Sequence, residues 1–187
     1  MPEPEDRDSF LDAVLIGGRE RVVITIVDHD EAWPGRFEEL RRRVETALGA
    51  HILAVEHIGS TSVPGLAAKP IIDLLLTVVN VDDEPAYGPA LVEAGFVLRV
   101  REPGHRLFRT PDRDAHLHVY EPTNSAVADY LSFRDWLRGS AADRDLYAAT
   151  KRDLARQDWS DMNAYADAKS DVIRAILARA RAAQGPA

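Results

Sequence analysis

The stretch from Val55 to Val79, VEHIGSTSVPGLAAKPIIDLLLTVV, constrains the fold of this chain more than any other part of it. It begins at the end of an apolar run, ILAVEHI, that reads as a buried strand. Gly59-Ser60-Thr61-Ser62 then makes a small hydroxyl-rich turn, and Val63-Pro64-Gly65 is a second turn signal. The next apolar run, Pro70 to Val79, carries one carboxylate, Asp73, among isoleucines and leucines. A charge in such a run is costly to bury unless it is paired or bound to a metal. A glycine at 59 lets backbone come close to a ligand, and the hydroxyls and N–H groups of Ser60, Thr61 and Ser62 can cradle phosphate. Two readings follow. The turn and the strand-borne acid hold a nucleotide and its metal ion, or they are a tight turn and a salt-bridged aspartate.

The rest of the composition narrows the class. A chain of 187 residues suits one domain with a single core. Its hydrophobic share of 45% and charged share of 29% are those of a soluble globular protein. No apolar run approaches the roughly 20 residues needed to span a bilayer, so no membrane partner is expected. The acidic start, MPEPEDRD, lacks the basic and apolar regions of a signal peptide. With zero cysteines, disulfides and thiol chemistry are excluded, and a cytoplasmic location is expected. The net charge of −8 argues against general nucleic-acid binding, which needs a basic face, but it permits a local basic pocket.

Residues 1–20 read as an N-terminal arm with a short helix, Phe10 to Ile16, capped by Ser9 and ended by Gly17-Gly18. A single domain is expected over residues 21–182, with a disordered tail over 183–187. Arg21 to Val27 is β-branched and predicts a strand. A helix follows from Trp33, with Pro34 in its first turn, to Leu48 before Gly49. Phe37, Leu40, Val44 and Leu48 recur at three and four and mark its core face. A short helix over Tyr87 to Ala94 precedes strands at Phe96 to Arg101, Arg106 to Arg109 and His116 to Tyr120. Three helices end the chain, from Ser125 to Leu137, from about Ala142 to Gln157, and from Ser160 or Asp161 to about Arg181. A mixed β-rich core followed by helices is an α+β pattern.

Strand alternation places His116 and His118 on one face with Leu117 on the other. Beside a buried Asp73, two imidazoles can ligate a divalent ion, or they can hydrogen-bond the sheet into shape. The C-terminal helices each put a cation inside an apolar stripe: Arg134 with Tyr130 and Leu137, Lys151 with Tyr147 and Leu154, Lys169 with Tyr165 and Val172. One such side chain can snorkel to water, whereas three together predict a shared anion. Asp135 is set about 100° away from the stripe of Arg134 and is not expected to serve it. Lys69, Arg106 and Arg109 can add charge from the sheet side. An inward cationic cluster in an acidic protein suits a small polyanion better than a nucleic-acid strand.

HIGSTSVPGLAAKPIID strongly resembles the GrpB family, which is assigned to the nucleotidyltransferase superfamily. VDHDEAWPGRFEELRRRV upstream, and His116 to Val119, Leu131 to Arg138, Tyr147 to Lys151 and Tyr165 to Lys169 downstream, follow the order of that family over roughly residues 22 to 178. The resemblance implies a nucleotidyltransferase-like mixed β-sheet with flanking helices and a C-terminal helical bundle. It implies a nucleotide-binding, metal-assisted nucleotidyl or phosphoryl transferase acting on a small phosphorylated ligand. Gly59, Ser60, Thr61 and Ser62 would hold phosphate, and Lys69, Arg106, Arg109, Arg134, Lys151 and Lys169 would neutralise it. Asp73, His116 and His118 would be the catalytic and metal-binding residues, with Mg²⁺ as the expected ion and Mn²⁺ or Zn²⁺ as alternatives. The superfamily places a second carboxylate two residues after the first, and this chain has Leu75 there, with His116, His118, Glu56 and Asp28 as candidate replacements. That departure keeps a second reading open, a non-catalytic nucleotide- or anion-binding domain.

Overall fold

In the computed structural model, residues 4–20 and 22–184 are described, and their strands form one five-stranded sheet in the order β1-β2-β5-β4-β3. The strands are β1 (Ala54–Ile58), β2 (Ile72–Thr77), β3 (Val97–Glu102), β4 (His105–Arg109) and β5 (Ala115–Tyr120). β2 and β5 run parallel at the centre, and every other pairing is antiparallel. This is the mixed α+β architecture expected from the order of elements.

The period of two along β2 and β5 sorts their side chains between two different layers. Leu74, Leu76, Leu117 and Val119 face a core closed by α2 (Trp33–Leu48) and α3 (Gly88–Glu93). α2 forms where the periodicity placed it, with Pro in its first turn and Trp33, Phe37, Leu40, Val44 and Leu48 buried. Each such side chain stabilises the fold by about 1.5–3 kcal/mol, so α2 anchors that face of the sheet. Asp73, Leu75, His116 and His118 face the other way.

That second face is roofed by α4 (Ser125–Gly139), α5 (Ala141–Leu154), α6 (Met162–Ala168) and α7 (Ser170–Gln184). Their starts are set by short polar side chains that satisfy free N–H groups: Asn124 for α4, Ser140 for α5 and Asp161 for α6. Asp143 ties three of them together, accepting from Trp136 Nε1 at 2.6 Å and from Arg179 at 2.5 Å. Val63, Leu66, Leu137, Tyr147 and Ile176 are the buried centre of this layer. Among the described residues, no helix is long and apolar enough to cross a membrane.

Four local expectations are corrected. The first helix, α1 (Pro4–Val14), starts upstream of Ser9, so Ser9 lies inside it and residues 4–8 are helical; residues 1–3 lie outside the described part. Residues 22–26 form no strand, and Val27 makes only an isolated bridge to Ala68. β-branched propensity needs a sheet edge to pair with, and Val23 projects into solvent instead. Arg21 itself is outside the described residues. The last predicted helix is divided at Lys169, whose N–H turns back to Ala166 rather than Tyr165. α7 then continues through Gln184, so positions 183 and 184 are helical, and 185–187 lie outside the described part.

Candidate functional site

Because β2 and β5 are parallel neighbours, Asp73 lies opposite His116 and Leu75 opposite His118. Each of Asp73, His116 and His118 offers one ligand atom, and these atoms lie within 4.8 Å of one another. His116 Nδ1 sits 3.3 Å from Asp73 Oδ1. Burial opposes the charge of Asp73, but the hydrogen bond and charge of His116, with His118 and Lys69, prevail and hold its carboxyl below the usual range. Burial pushes His118 down to about 3 against the pull of Asp73. A neutral imidazole is the form that binds a metal. One carboxylate and two imidazoles at this spacing are a donor set that fits a divalent ion.

Gly59 leaves β1 at φ +68° directly over this cluster, since Ile58 is the register partner of Asp73. A Cβ at position 59 would come within 2.9 Å of the Asp73 Cβ and collide with its carboxylate. The glycine is therefore what lets the turn and the acid approach. Within the turn, Ser60 Oγ accepts from Lys151 Nζ at 2.8 Å. The Thr61 hydroxyl lies 3.1 Å from His57 Nε2 and donates to the Ile71 carbonyl at 3.3 Å. Ser62 donates to the Gly59 carbonyl at 2.6 Å, which turns its hydroxyl inward. Gly59, Ser60 and Thr61 thus border the cavity beside Asp73 and Ser62 does not, a correction to the expected four-residue cradle.

That cavity has a volume of about 520 Å³ between the sheet and the helical roof. Three lysines enter it. Lys151 is 2% exposed, donates to Ser60 and to the Ala67 carbonyl, and lies 4.5 Å from the Tyr147 ring centroid. Lys169 lies 4.6 Å from the Tyr165 ring centroid, and Lys69 lies 5.4 Å from the same ring. Lys69 donates to the Met162 thioether at 2.9 Å, a weak acceptor. Burial, then the charges of Lys169, Arg152 and Lys69, pushes Lys151 down to about 6. Burial and Lys69 push Lys169 down to about 8. Asp73 is the carboxylate that pulls all three the other way. The Tyr165 hydroxyl is buried in the cavity wall with no hydrogen-bond partner among the described residues. Tyr130, Phe133, Ile173 and Leu177 make the apolar wall.

The expected arginines lie elsewhere. Arg134 bonds Glu56 at 2.8 Å, Asp135 at 2.7 Å and the His57 carbonyl at 3.1 Å, outside the cavity. Its long guanidinium folds back to the neighbouring Asp135, which a helical-wheel angle measured at Cβ does not anticipate. Arg106 points to the opposite face of the sheet, where it binds Glu84 and Asp82, and Arg109 is held by both oxygens of Glu20. The converging cations are Lys69, Lys151 and Lys169. Of the candidate replacements for a second carboxylate, Glu56 is engaged by Arg134 and Asp28 by Arg152, which leaves the two histidines at Asp73. Leu75 is 1% exposed and packs with Ile58, Tyr120 and Tyr130, so the second acidic position is hydrocarbon. Sequence reasoning missed the tyrosines as ring seats for lysines, although the Tyr-x-x-x-Lys spacing is their signal. It also missed His105 of β4, which contacts His118, and Glu102 of β3, which contacts His105.

Residues 23–179 match the sequence pattern of the GrpB protein family. The chain belongs to the GrpB family. Among its relatives, the UPF0157 protein of Streptomyces coelicolor is 56% identical over 91% of each chain. That of Halalkalibacterium halodurans is 48% identical over 94% of this chain and 92% of its own. The crystal structure of GrpB from Enterococcus faecalis superposes with a TM-score of 0.75, at 32% identity, covering 83% of this chain and 96% of that one. A chain of the GLD-2/RNP-8 complex, at 16% identity and a TM-score of 0.52, covers 70% of this chain and 56% of its own, and shares the fold alone. This GrpB chain therefore has a nucleotidyltransferase-like fold.

Proposed function

We propose that the cavity binds a nucleotide or another small phosphorylated ligand through its phosphates. We further propose that the protein transfers a nucleotidyl or phosphoryl group with one divalent ion. The observation that carries this reading is the set of three lysines around one carboxylate, one buried (Lys151) and two half-buried (Lys69 and Lys169), beside a hydroxyl-bearing turn. Withdrawing an ammonium from water without a counter-charge is costly, and a phosphate chain would match all three lysines at once. The uncommitted Tyr165 hydroxyl is a further donor for such a ligand. The volume is that of a small-molecule site. Ser60 and Thr61 would face the phosphates, and Asp73, His116 and His118 would hold the ion, which when bound supplies charge neutralisation at the transferred phosphorus. A histidine of the pair that did not ligate the ion would be the candidate general base.

One observation favours a second reading, ligand binding without transfer. Two-metal phosphoryl transfer draws several carboxylates onto the ions, and Leu75 fills the position of one of them with packed hydrocarbon. A single set of measurements separates the two. A triphosphate is expected to raise the melting temperature by roughly 5–10 °C at a hundredfold excess over its Kd, since binding the native state alone then adds about 2.7 kcal/mol. The nucleoside is expected to do little. Equal shifts from adenosine and its triphosphate would eliminate a phosphate-centred site. Release of pyrophosphate or phosphate from the bound triphosphate, followed by ³¹P NMR, supports transfer; a shift with an intact ligand supports binding alone.

A further inference from the structure

We infer that the Asp73–His116–His118 centre is built for a borderline transition ion of the Zn²⁺, Co²⁺ and Fe²⁺ class rather than for Mg²⁺, with Glu102 and His105 aiming His118 at it. The inference takes its location from the proposed ligand cavity, but its test uses no nucleotide, so either reading can fail without the other.

Donor chemistry decides the ion. Two of the three groups within 4.8 Å are imidazoles. Mg²⁺ demands near-octahedral oxygen donors, whereas imidazole suits zinc and its neighbours. The position that would supply another carboxylate is Leu75, buried among Ile58, Tyr120 and Tyr130. Glu56 and Asp28 are committed to Arg134 and Arg152. The nearby lysines disfavour every divalent cation alike by charge, so they leave the choice among ions to the donors.

The second observation is a hydrogen-bond chain behind His118. His105 Nδ1 lies 2.5 Å from Glu102 Oε1, and His105 Nε2 lies 3.2 Å from His118 Nδ1. His105 is buried and stacked on Tyr120 with ring centroids 4.4 Å apart. An ionised carboxylate only accepts, so a neutral His105 ring carries its proton on Nδ1 and its lone pair on Nε2. His118 must then donate from Nδ1, which leaves its own lone pair on Nε2. This is the carboxylate–histidine–metal arrangement lengthened by one ring, and such outer groups change metal affinity 10–100-fold. Glu102 and His105 are positioning residues.

The test is titration of the full-length, tag-free protein with Zn²⁺ and with Mg²⁺ by calorimetry, and with Co²⁺ by visible absorption. One Zn²⁺ per chain is expected, with micromolar or tighter affinity, while Mg²⁺ gives no heat at millimolar concentration. Co²⁺ is expected to show a d–d band that requires His118. Asp73→Asn and His118→Asn should weaken Zn²⁺ at least a hundredfold, and Glu102→Gln about 10–100-fold, with part of the loss restored by Glu102→Asp. His51→Ala, at an exposed histidine remote from the cluster, should change nothing. Metal-free melting curves show which variants fold; should Asp73→Asn or His118→Asn not fold, X-ray absorption of the wild-type Zn²⁺ complex replaces it, with two nitrogen donors expected. The inference is overturned by Mg²⁺ binding as tightly as Zn²⁺, by Zn²⁺ binding that survives His118→Asn, or by an all-oxygen shell. Unchanged affinity in a folded Glu102→Gln variant overturns the role of the chain behind His118.

Discussion

Lys151→Met is expected to weaken triphosphate binding about tenfold to a hundredfold while the melting temperature holds or rises. The lost affinity is one charge-assisted contact of about 1.5–3 kcal/mol. The stability result follows from burial. Lys151 is held at about 6 in the folded chain, against an ordinary lysine value of 10.5. A base whose folded value is depressed binds its proton more readily when unfolded, so stability rises with pH across that window. The penalty is therefore full below about pH 6, partial at neutrality and relieved as pH approaches 10.5. Methionine keeps the stem volume and removes the titrating group, so the variant should lose this pH dependence. The hydrogen bonds to Ser60 and the Ala67 carbonyl are lost as well, and an unsatisfied buried carbonyl costs about 1–3 kcal/mol. That loss offsets the relief and is why the gain at neutral pH is expected to be small. Melting curves from pH 6 to 10 with a triphosphate titration check both halves. A Met variant that binds as tightly as wild type, or that unfolds, contradicts the anion-site reading.

Gly59→Ala is expected to lower stability by about 3 kcal/mol, or roughly 6–12 °C in Tm for a chain of this size. Part of this is the backbone at φ +68° and ψ −174°, a region open essentially to glycine alone, which costs a residue with a Cβ about 1–3 kcal/mol. The remainder is contact with Asp73, whose Cβ lies 2.9 Å from the place a new methyl would occupy. The two contributions separate in a double variant. Asp73→Ala removes the blocking carboxylate, so in the Gly59→Ala background it should restore part of the loss and leave the backbone cost. Additive losses in the cycle would mean that the turn does not rest on the acid.

Much of the framework was legible in the sequence because it depends on period. The three-and-four spacing of Phe37, Leu40, Val44 and Leu48 returned α2 with its buried face. The alternation His116-Leu117-His118 sorted two imidazoles from the core. The Gly-Ser turn and the lone acid of the second apolar run met as expected, because Ile58 and Asp73 are register partners. What failed depends on partners far along the chain. Arg134 has the same helical placement as Lys151 and Lys169, yet Glu56, 78 positions away, draws it out of the site. Arg109 is taken by Glu20, 89 positions upstream, and Arg106 by Asp82 and Glu84. No spacing rule reveals a counter-charge on another element. Lys69 entered the expected cation group from the sheet side, and its place beside Tyr165 arises only when the helical roof folds over β2. His105 went unread because its role rests on Glu102 and Tyr120 closing around it across neighbouring strands.

Lys69, Lys151 and Lys169 are expected to be completed by phosphate. Calorimetry of a triphosphate without divalent ions, at pH 8 in buffers of different ionisation enthalpy, tests this most directly. In the empty site Lys151, held at about 6, is largely neutral at that pH, and Lys169, at about 8, is half charged. A phosphate chain among them raises both, so binding is predicted to take up between about one and one and a half protons, and about half a proton or less in the Lys151→Met variant. Binding with no proton uptake, or with proton release, would contradict the account.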